Sequence, residues 1–167
     1  MVGRGDGRSL DAEEVGQLYD HHGRALLAYA RVLTPDGLAA EDVVHQVFLR
    51  LLRGDIRIRG NPMAYLFRSV RNLALNERRR HVRETPIDVD WFEGPAGMDD
   101  AALALQTALS TLPREQREVV VLRIWGQLTL EETAQAVDAS ANTVASRYRY
   151  ALRKLRAQFE PLEGPPR

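Results

Sequence analysis

The segment TLEETAQAVDASANTVASRYRYALRKLR, Thr129 to Arg156, has the pattern of two helices separated by a tight turn. Its first four residues, TLEE, form a capping box of the type that begins a helix, and we expect this helix to run through Val137. The turn DAS follows, and Ser140 is a suitable N-cap for the second helix. A short helix, a three-residue turn and a second helix together form a helix-turn-helix.

The second helix of this motif is amphipathic and strongly basic. Its apolar residues, Val144, Tyr148, Ala151, Leu152 and Leu155, recur at helical spacing and predict the face that packs on the domain. The opposite face favours the major groove of duplex DNA, with its first residues near base edges and its later arginines near phosphates. The predicted duplex contacts are Asn142, Thr143, Ser146, Arg147, Arg149, Tyr150 and Arg153.

Basic residues are concentrated in two blocks, although the whole chain balances 23 basic against 23 acidic residues. Residues 50–85 carry ten basic and three acidic groups, and residues 143–167 carry six and two. A single charge run is usually a solvated helix face. Two blocks in one small protein favour a polyanionic partner such as nucleic acid.

The first basic block combines arginines with aromatic and amide side chains on one helix, which we expect to begin at Pro62. Aromatic rings beside basic residues suit unstacked bases, whereas the alternative for Tyr65 and Phe67 is a place in the core. The loop before the helix adds groups that suit a flipped base or a phosphate. The predicted single-strand contacts are Arg57, Arg59, Asn61, Tyr65, Arg68, Arg71, Asn72, Asn76, Arg79 and Arg80.

The order of these segments predicts an all-α protein of two small helical domains joined by a flexible acidic linker, the second domain containing the helix-turn-helix. The linker is TPIDVDWFEGPAGMDD, which combines prolines, glycines and five acids without a helical stripe. We expect the two domains to move relative to each other in the free chain. The predicted divisions are a loose tail over 1–10, a first domain over 11–84, the linker over 85–100, a second domain over 101–160 and a tail over 161–167.

Composition argues against several other classes of protein. The chain has no cysteine, which excludes disulfides and thiolate zinc sites and fits a reducing cytoplasm, where we expect the protein to act. No apolar run approaches the roughly 18 residues that a membrane span needs. The four histidines form no HExxH pattern, Asp20, His21 and His22 lack further ligands at helical spacing, and no Gly-rich phosphate loop is present. We therefore predict no enzyme, metal, cofactor or membrane contact.

Three segments resemble the extracytoplasmic-function (ECF) sigma factors, the compact two-domain class of bacterial transcription initiation factor. LAAEDVVHQVFLRLLR resembles the second conserved helix of that family, and AYLFRSVRNLALNERRR resembles its promoter-melting, minus-ten-reading helix. ALSTLPREQREVVVLRIWGQLTLEETAQAVDASANTVASRYRYALRKLR resembles its minus-thirty-five-reading domain. The resemblance covers roughly residues 15–159, with the three segments in the family's order and spacing.

This resemblance implies a role for each segment. The helix with Glu41, Asp42 and Gln46 would bind the clamp of the polymerase β′ subunit, and the second domain would meet the β flap. Asn72 and Asn76, with the loop before their helix, would hold the non-template strand of the minus-ten element. The basic face of the second domain would bind the minus-thirty-five duplex. Promoter DNA and the polymerase core are thus the implied partners, and an anti-sigma factor is a further partner typical of the family.

The sequence departs from the family pattern at three places. Ala145 stands where a basic residue is usual, Tyr65 replaces a common tryptophan, and the turn DASAN lacks a common glycine. The alternative hypothesis is a helix-turn-helix regulator that binds duplex DNA without opening its strands. A third is an interaction protein that antagonises initiation. The aromatic and amide-rich helix separates the first two, because a regulator that binds only duplex DNA has no use for it.

Overall fold

Seven α-helices account for most of residues 8–84 and 100–159, the part of the chain that this computed structural model describes. Their bounds are α1 Ala12–Leu33, α2 Gly37–Leu52, α3 Pro62–Glu84, α4 Asp100–Ser110, α5 Arg114–Ile124, α6 Leu130–Val137 and α7 Ala141–Phe159. Within those ranges the only paired extended residues are Arg8 and Ile58, which form an isolated antiparallel bridge. The predicted all-α fold is confirmed.

The first half of the chain, α1 to α3, begins each helix with a local capping signal. Asp11 and Glu14 form a reciprocal capping box at α1. Asp36 caps α2 by accepting a hydrogen bond from the backbone N–H of Ala39 at 2.8 Å, so α2 begins at Gly37, two residues earlier than the sequence pattern indicates. α3 begins at Pro62, as predicted.

The second half, α4 to α7, contains the predicted helix-turn-helix. Thr129 and Glu132 form the capping box of α6, and the hydroxyl of Ser140 accepts a hydrogen bond from the Thr143 N–H at 3.1 Å at the start of α7. Asp138 adopts the left-handed conformation with φ 54° between the two helices. Aspartate tolerates this region because its short polar side chain hydrogen-bonds locally, which explains how the turn forms without a glycine.

One apolar core joins the two halves. The buried residues of α1, α2 and α3 form a continuous cluster with residues of α5, α6 and α7, while a smaller cluster lies between α4, α5 and α7. Tyr29 of α1 and Phe67 of α3 are fully buried and meet edge to face, with ring centroids 5.4 Å apart. The expectation that the two domains move independently does not describe this arrangement, because both contribute side chains to the same core.

The predicted acidic linker over residues 85–100 lies outside the described residues, apart from Asp100, which begins α4. The same holds for residues 1–7 of the predicted N-terminal tail and for the tail over 161–167. The boundaries of the two domains therefore stay predictions. The helices that carry every predicted binding residue are described.

Candidate nucleic-acid interfaces

The basic face of α7 is open to solvent, and its apolar face is not. Val144, Ala151 and Leu155 are buried, and Tyr148 and Leu152 are partly buried, as the sequence periodicity predicts. Most of the predicted duplex contacts are exposed, and the two others are partly covered. The exposed ones are Asn142, Thr143, Arg149, Tyr150 and Arg153, and the partly covered ones are Ser146 and Arg147.

The ring of Tyr150 organises the positive charge on this face. The guanidinium groups of Arg149 and Arg153 lie 5.8 and 5.3 Å from its centroid, within the range of a cation–π interaction. The exposed ring thus packs against both arginine groups. This arrangement restricts two long side chains and holds their charges on the solvent side of α7.

Thr143 has a second role at the beginning of α7. Its hydroxyl lies 2.8 Å from the hydroxyl of Ser140, and its backbone N–H donates to the same oxygen. The Thr143 side chain is therefore already engaged in the helix cap. Asn142 and Ser146 are the other polar residues that the first turns of α7 present.

Five of the ten predicted single-strand residues line one cavity beside α3, here called the α3 cavity. Its volume is about 330 Å³. The predicted residues in its wall are Arg59, Asn61, Tyr65, Arg68 and Asn72. The cavity combines two guanidinium groups, two amides and an aromatic ring, which is the chemistry that recognises an unstacked base and its phosphate.

The other predicted single-strand residues lie elsewhere on the same loop and helix. Arg57, Asn76 and Arg79 are exposed, and Arg80 pairs with Glu77 of its own helix at 3.2 Å. Arg71 differs from them because its guanidinium points into the contact between the two halves. Of the two aromatic residues considered, Phe67 is fully buried in the core, and Tyr65 is partly buried at the wall of the cavity.

Arg71 belongs to a buried cluster around Glu118 of α5. The Glu118 side chain, 1% exposed, accepts hydrogen bonds at Oε2 from Arg71 Nε at 3.0 Å and from Tyr29 Oη at 3.4 Å. Arg114 Nε lies 3.5 Å from the other carboxylate oxygen. One carboxylate thus meets a cation from each half of the chain.

The cluster shifts the pKa of its two partners from the first half in the same direction. Burial raises the pKa of Tyr29 well above its ordinary value, and the Glu118 carboxylate adds to this rise. Burial by itself lowers the pKa of Arg71, but the attraction and hydrogen bond of Glu118 more than offset it, so that pKa is raised. Both groups therefore stay protonated and continue to donate to Glu118.

Three residues of the second half that contact these sites were not predicted from the sequence. Glu118 is one of them, and its signal is a carboxylate next to the apolar run VVVL. Glu132 was explained by helix capping alone, yet its Oε1 also accepts a hydrogen bond from the Asn61 amide. Gln135 lines the α3 cavity, and its position in α6 has no sequence signal that points there.

The outer face of α2 carries the residues expected to bind polymerase. Glu41, Asp42 and Gln46 are all exposed. Large apolar side chains are exposed on the same helix, namely Leu38 at 76%, Leu49 at 47% and Leu52 at 53%. Exposed apolar residues bordered by polar ones are typical of a surface that binds another protein.

Neither a metal site nor a membrane span is present in the described ranges. No group of three or more His, Cys, Asp or Glu side chains in residues 8–84 and 100–159 is placed to hold a metal ion. Across those same residues, every helix is too short or too polar to cross a bilayer.

Comparison with known proteins identifies two matching family models. The model for sigma-70 region 2 matches residues 18–84, and the model for sigma-70 region 4 matches residues 108–157. These ranges contain α2 and α3 in the first case and the helix-turn-helix in the second.

Similar proteins are found in actinobacteria and among solved structures. An RNA polymerase sigma-E factor of Streptomyces avermitilis is 38% identical over 143 residues, which cover 81% of this chain and 79% of the relative. The ECF RNA polymerase sigma factor SigL of Mycobacterium tuberculosis is 32% identical over 170 residues, covering 92% and 93%. The sigma factor RpoE of Bartonella quintana, solved with the anti-sigma factor NepR, shares the fold with a TM-score of 0.71 at 22% identity, over 92% of this chain and all of the other.

Proposed function

The chain belongs to the ECF sigma factors of RNA polymerase, and from that premise we propose how its surfaces divide the work of initiation. As a sigma factor it recognises promoters and supports transcription initiation by RNA polymerase. Its residue-level roles follow from the geometry of three surfaces: the α3 cavity, the basic face of α7 and the outer face of α2.

The α3 cavity holds the non-template strand of the minus-ten element. The observation that supports this role is the convergence of five predicted residues on one cavity, with amides, guanidinium groups and a ring in its wall. Amides both donate and accept, so Asn72 can pair with the edge of an unpaired base. Holding a base outside the stack offsets an unstacking cost of a few kcal/mol. Arg57, Asn76, Arg79 and Arg80 then extend the path of the strand along the loop and helix.

The basic face of α7 binds the minus-thirty-five duplex. Asn142 and Ser146, near the start of the helix, meet base edges in the major groove, and Arg147 and Arg149 meet phosphates. Tyr150 positions the guanidinium groups of Arg149 and Arg153 rather than contacting a base itself. Ala145 supplies no phosphate contact, so this interface relies on its neighbours.

The outer face of α2 binds the polymerase core. Glu41, Asp42 and Gln46 provide polar contacts to the β′ clamp, and the exposed leucines beside them provide apolar area. The second domain contacts the β flap, and an anti-sigma factor is a further partner that family membership suggests. The protein acts in the cytoplasm, where polymerase is, and has no catalytic activity of its own.

The minus-ten role is tested by Asn72→Ala in reconstituted polymerase. The template is a promoter found by sequencing the DNA that is bound when the chain is overproduced. Permanganate footprinting reports the unpaired thymines of the downstream element. We expect lower thymine reactivity on the linear promoter and partial recovery on a template with a pre-melted bubble, because only strand opening is impaired.

A matched control is Gln17→Ala, which removes an exposed amide from α1. It should leave the footprint unchanged. Equal loss on linear and pre-melted templates would point to impaired polymerase binding, and no loss on either would remove Asn72 from the site. A regulator that binds only duplex DNA predicts this last result.

A further inference from the structure

Acidic and polar residues of the second half contact the face of α3 that we assign to the minus-ten strand. The Asn61 side chain donates its amide to Glu132 of α6, and its carbonyl accepts a hydrogen bond from the Met63 N–H at 2.8 Å. Both polar groups of Asn61 are therefore engaged within the protein. Gln135, one turn further along α6, forms part of the wall of the α3 cavity beside Asn72.

A second acidic contact involves Arg71, another predicted strand-binding residue. Its guanidinium donates to the buried Glu118 carboxylate of α5 and is directed away from solvent. Two of the groups proposed to meet nucleic acid are thus paired with carboxylates of the same chain. Carboxylates accept hydrogen bonds as phosphate oxygens do, so Glu118 and Glu132 occupy donors that a DNA strand would use.

Apolar packing gives this contact its close fit. Gly126, after α5, lies so near Phe67 of α3 that a Cβ atom would be 2.8 Å from the ring. Phe67, Val119 and Leu122 are fully buried in the shared core. Burial of charge stabilises little by itself, because desolvation offsets the attraction. The apolar core therefore holds the halves together, and the two carboxylates determine which residues of α3 are covered.

We propose that the free chain is autoinhibited, with α5 and α6 of its own helix-turn-helix domain covering the minus-ten face of α3. This rests on the function proposed for the α3 cavity. The strand and α6 compete for the same amide and the same cavity wall, so the chain has to open before this face binds DNA. The apparent affinity for single-stranded DNA is then the intrinsic affinity reduced by the open fraction.

Opening is measured by energy transfer between two dyes on the full-length chain. The protein has no cysteine, so Arg53→Cys in the first half and Ala157→Cys in the second half provide two unique labelling positions. Both positions are exposed and lie outside the proposed sites. Adding polymerase core to the labelled chain, with no further substitution, should lower the transfer efficiency because the bound chain is open.

The variant that tests the contact is Glu118→Gln with Glu132→Gln. It removes one charge from α5 and one from α6, and glutamine preserves the capping box of α6. The matched control, Glu115→Gln with Glu131→Gln, removes one charge from each of the same helices at exposed positions that do not contact the first half. The control corrects for the general gain in DNA affinity that any loss of negative charge produces.

The probe is a fluorescent random-sequence single-stranded DNA of about 12 nucleotides. Relative to the control, we expect the Glu118/Glu132 variant to show lower transfer efficiency and about a tenfold lower apparent Kd, equivalent to about 1.4 kcal/mol. Adding Asn72→Ala to that variant should abolish the gain in affinity but leave the transfer efficiency low. Circular dichroism of each variant verifies that its helices are intact.

The outcomes distinguish the two proposals. Unchanged transfer efficiency, both in the variant and on addition of polymerase core, would overturn the autoinhibitory contact. Lower transfer without tighter binding would also overturn it, because the cavity would then not be covered. Normal strand opening by Asn72→Ala polymerase would instead overturn the minus-ten assignment, whatever the dyes report.

Discussion

Replacing Gly126 with alanine tests how closely the two halves of the chain pack. The added Cβ would lie 2.6 Å from the Leu122 carbonyl oxygen and 2.8 and 3.0 Å from two ring carbons of Phe67. Neither neighbour is free to move. The oxygen belongs to the backbone of α5, and the ring is fully buried and packed edge to face on Tyr29.

Overpacking of this kind costs about 1–3 kcal/mol. For a chain of this length each kcal/mol shifts the melting temperature by about 2–4 °C, so we expect a decrease of about 2–12 °C. Thermal unfolding followed by far-ultraviolet circular dichroism measures it. Gly16→Ala is the matched control, because a Cβ there meets nothing within 4 Å. That glycine lies inside α1, where alanine should stabilise by roughly 0.5–1 kcal/mol.

A double-mutant cycle separates the two clashes. Phe67→Leu by itself creates a cavity and destabilises the fold, but in the Gly126→Ala background it also relieves the contact with the ring. We therefore expect it to cost less in that background. Additive effects would assign the strain to the Leu122 oxygen, which is within the second half. A Gly126→Ala protein as stable as the original would refute the close packing of α3 against the turn after α5.

Three further substitutions test the proposed surfaces. Arg149→Ala should weaken duplex binding for every sequence and lower the slope of log affinity against log salt by about one unit, and an unchanged slope would exclude a phosphate contact. Ser146→Ala should cost about 1–3 kcal/mol at one base pair only, as measured by binding to a set of single-site promoter variants; a uniform loss would contradict base recognition. The Thr129 backbone N–H, followed by the Asn61 amide, lowers the pKa of Glu132, so its ionised form stabilises the fold above the ordinary glutamate pKa and this contribution disappears as the pH falls through the lowered pKa. Glu132→Gln should therefore reduce the loss of unfolding free energy between about pH 5 and about pH 3 in denaturant titrations, and identical pH profiles would exclude the linkage.

Local signals in the sequence were sufficient to predict the helices and the helix-turn-helix. The capping box at Thr129, the cap at Ser140 and the start of α3 at Pro62 were all predicted and are confirmed. Each depends on residues within four positions of one another, so the chemistry is visible in a short window. The exposed basic face of α7 follows from the same kind of local periodicity.

The contact between the two halves depends on tertiary structure. Arg71 and Glu118 lie 47 positions apart, and Asn61 and Glu132 lie 71 apart, so no local pattern pairs them. Gly126 shows the same limit. A glycine after a helix suggests a left-handed C-cap, yet the positive φ of 52° belongs to Gln127, and Gly126 is required because Phe67 approaches it from another helix. Packing brings such residues together from distant segments, and the shape of the assembled core therefore decides which polar groups remain free to bind.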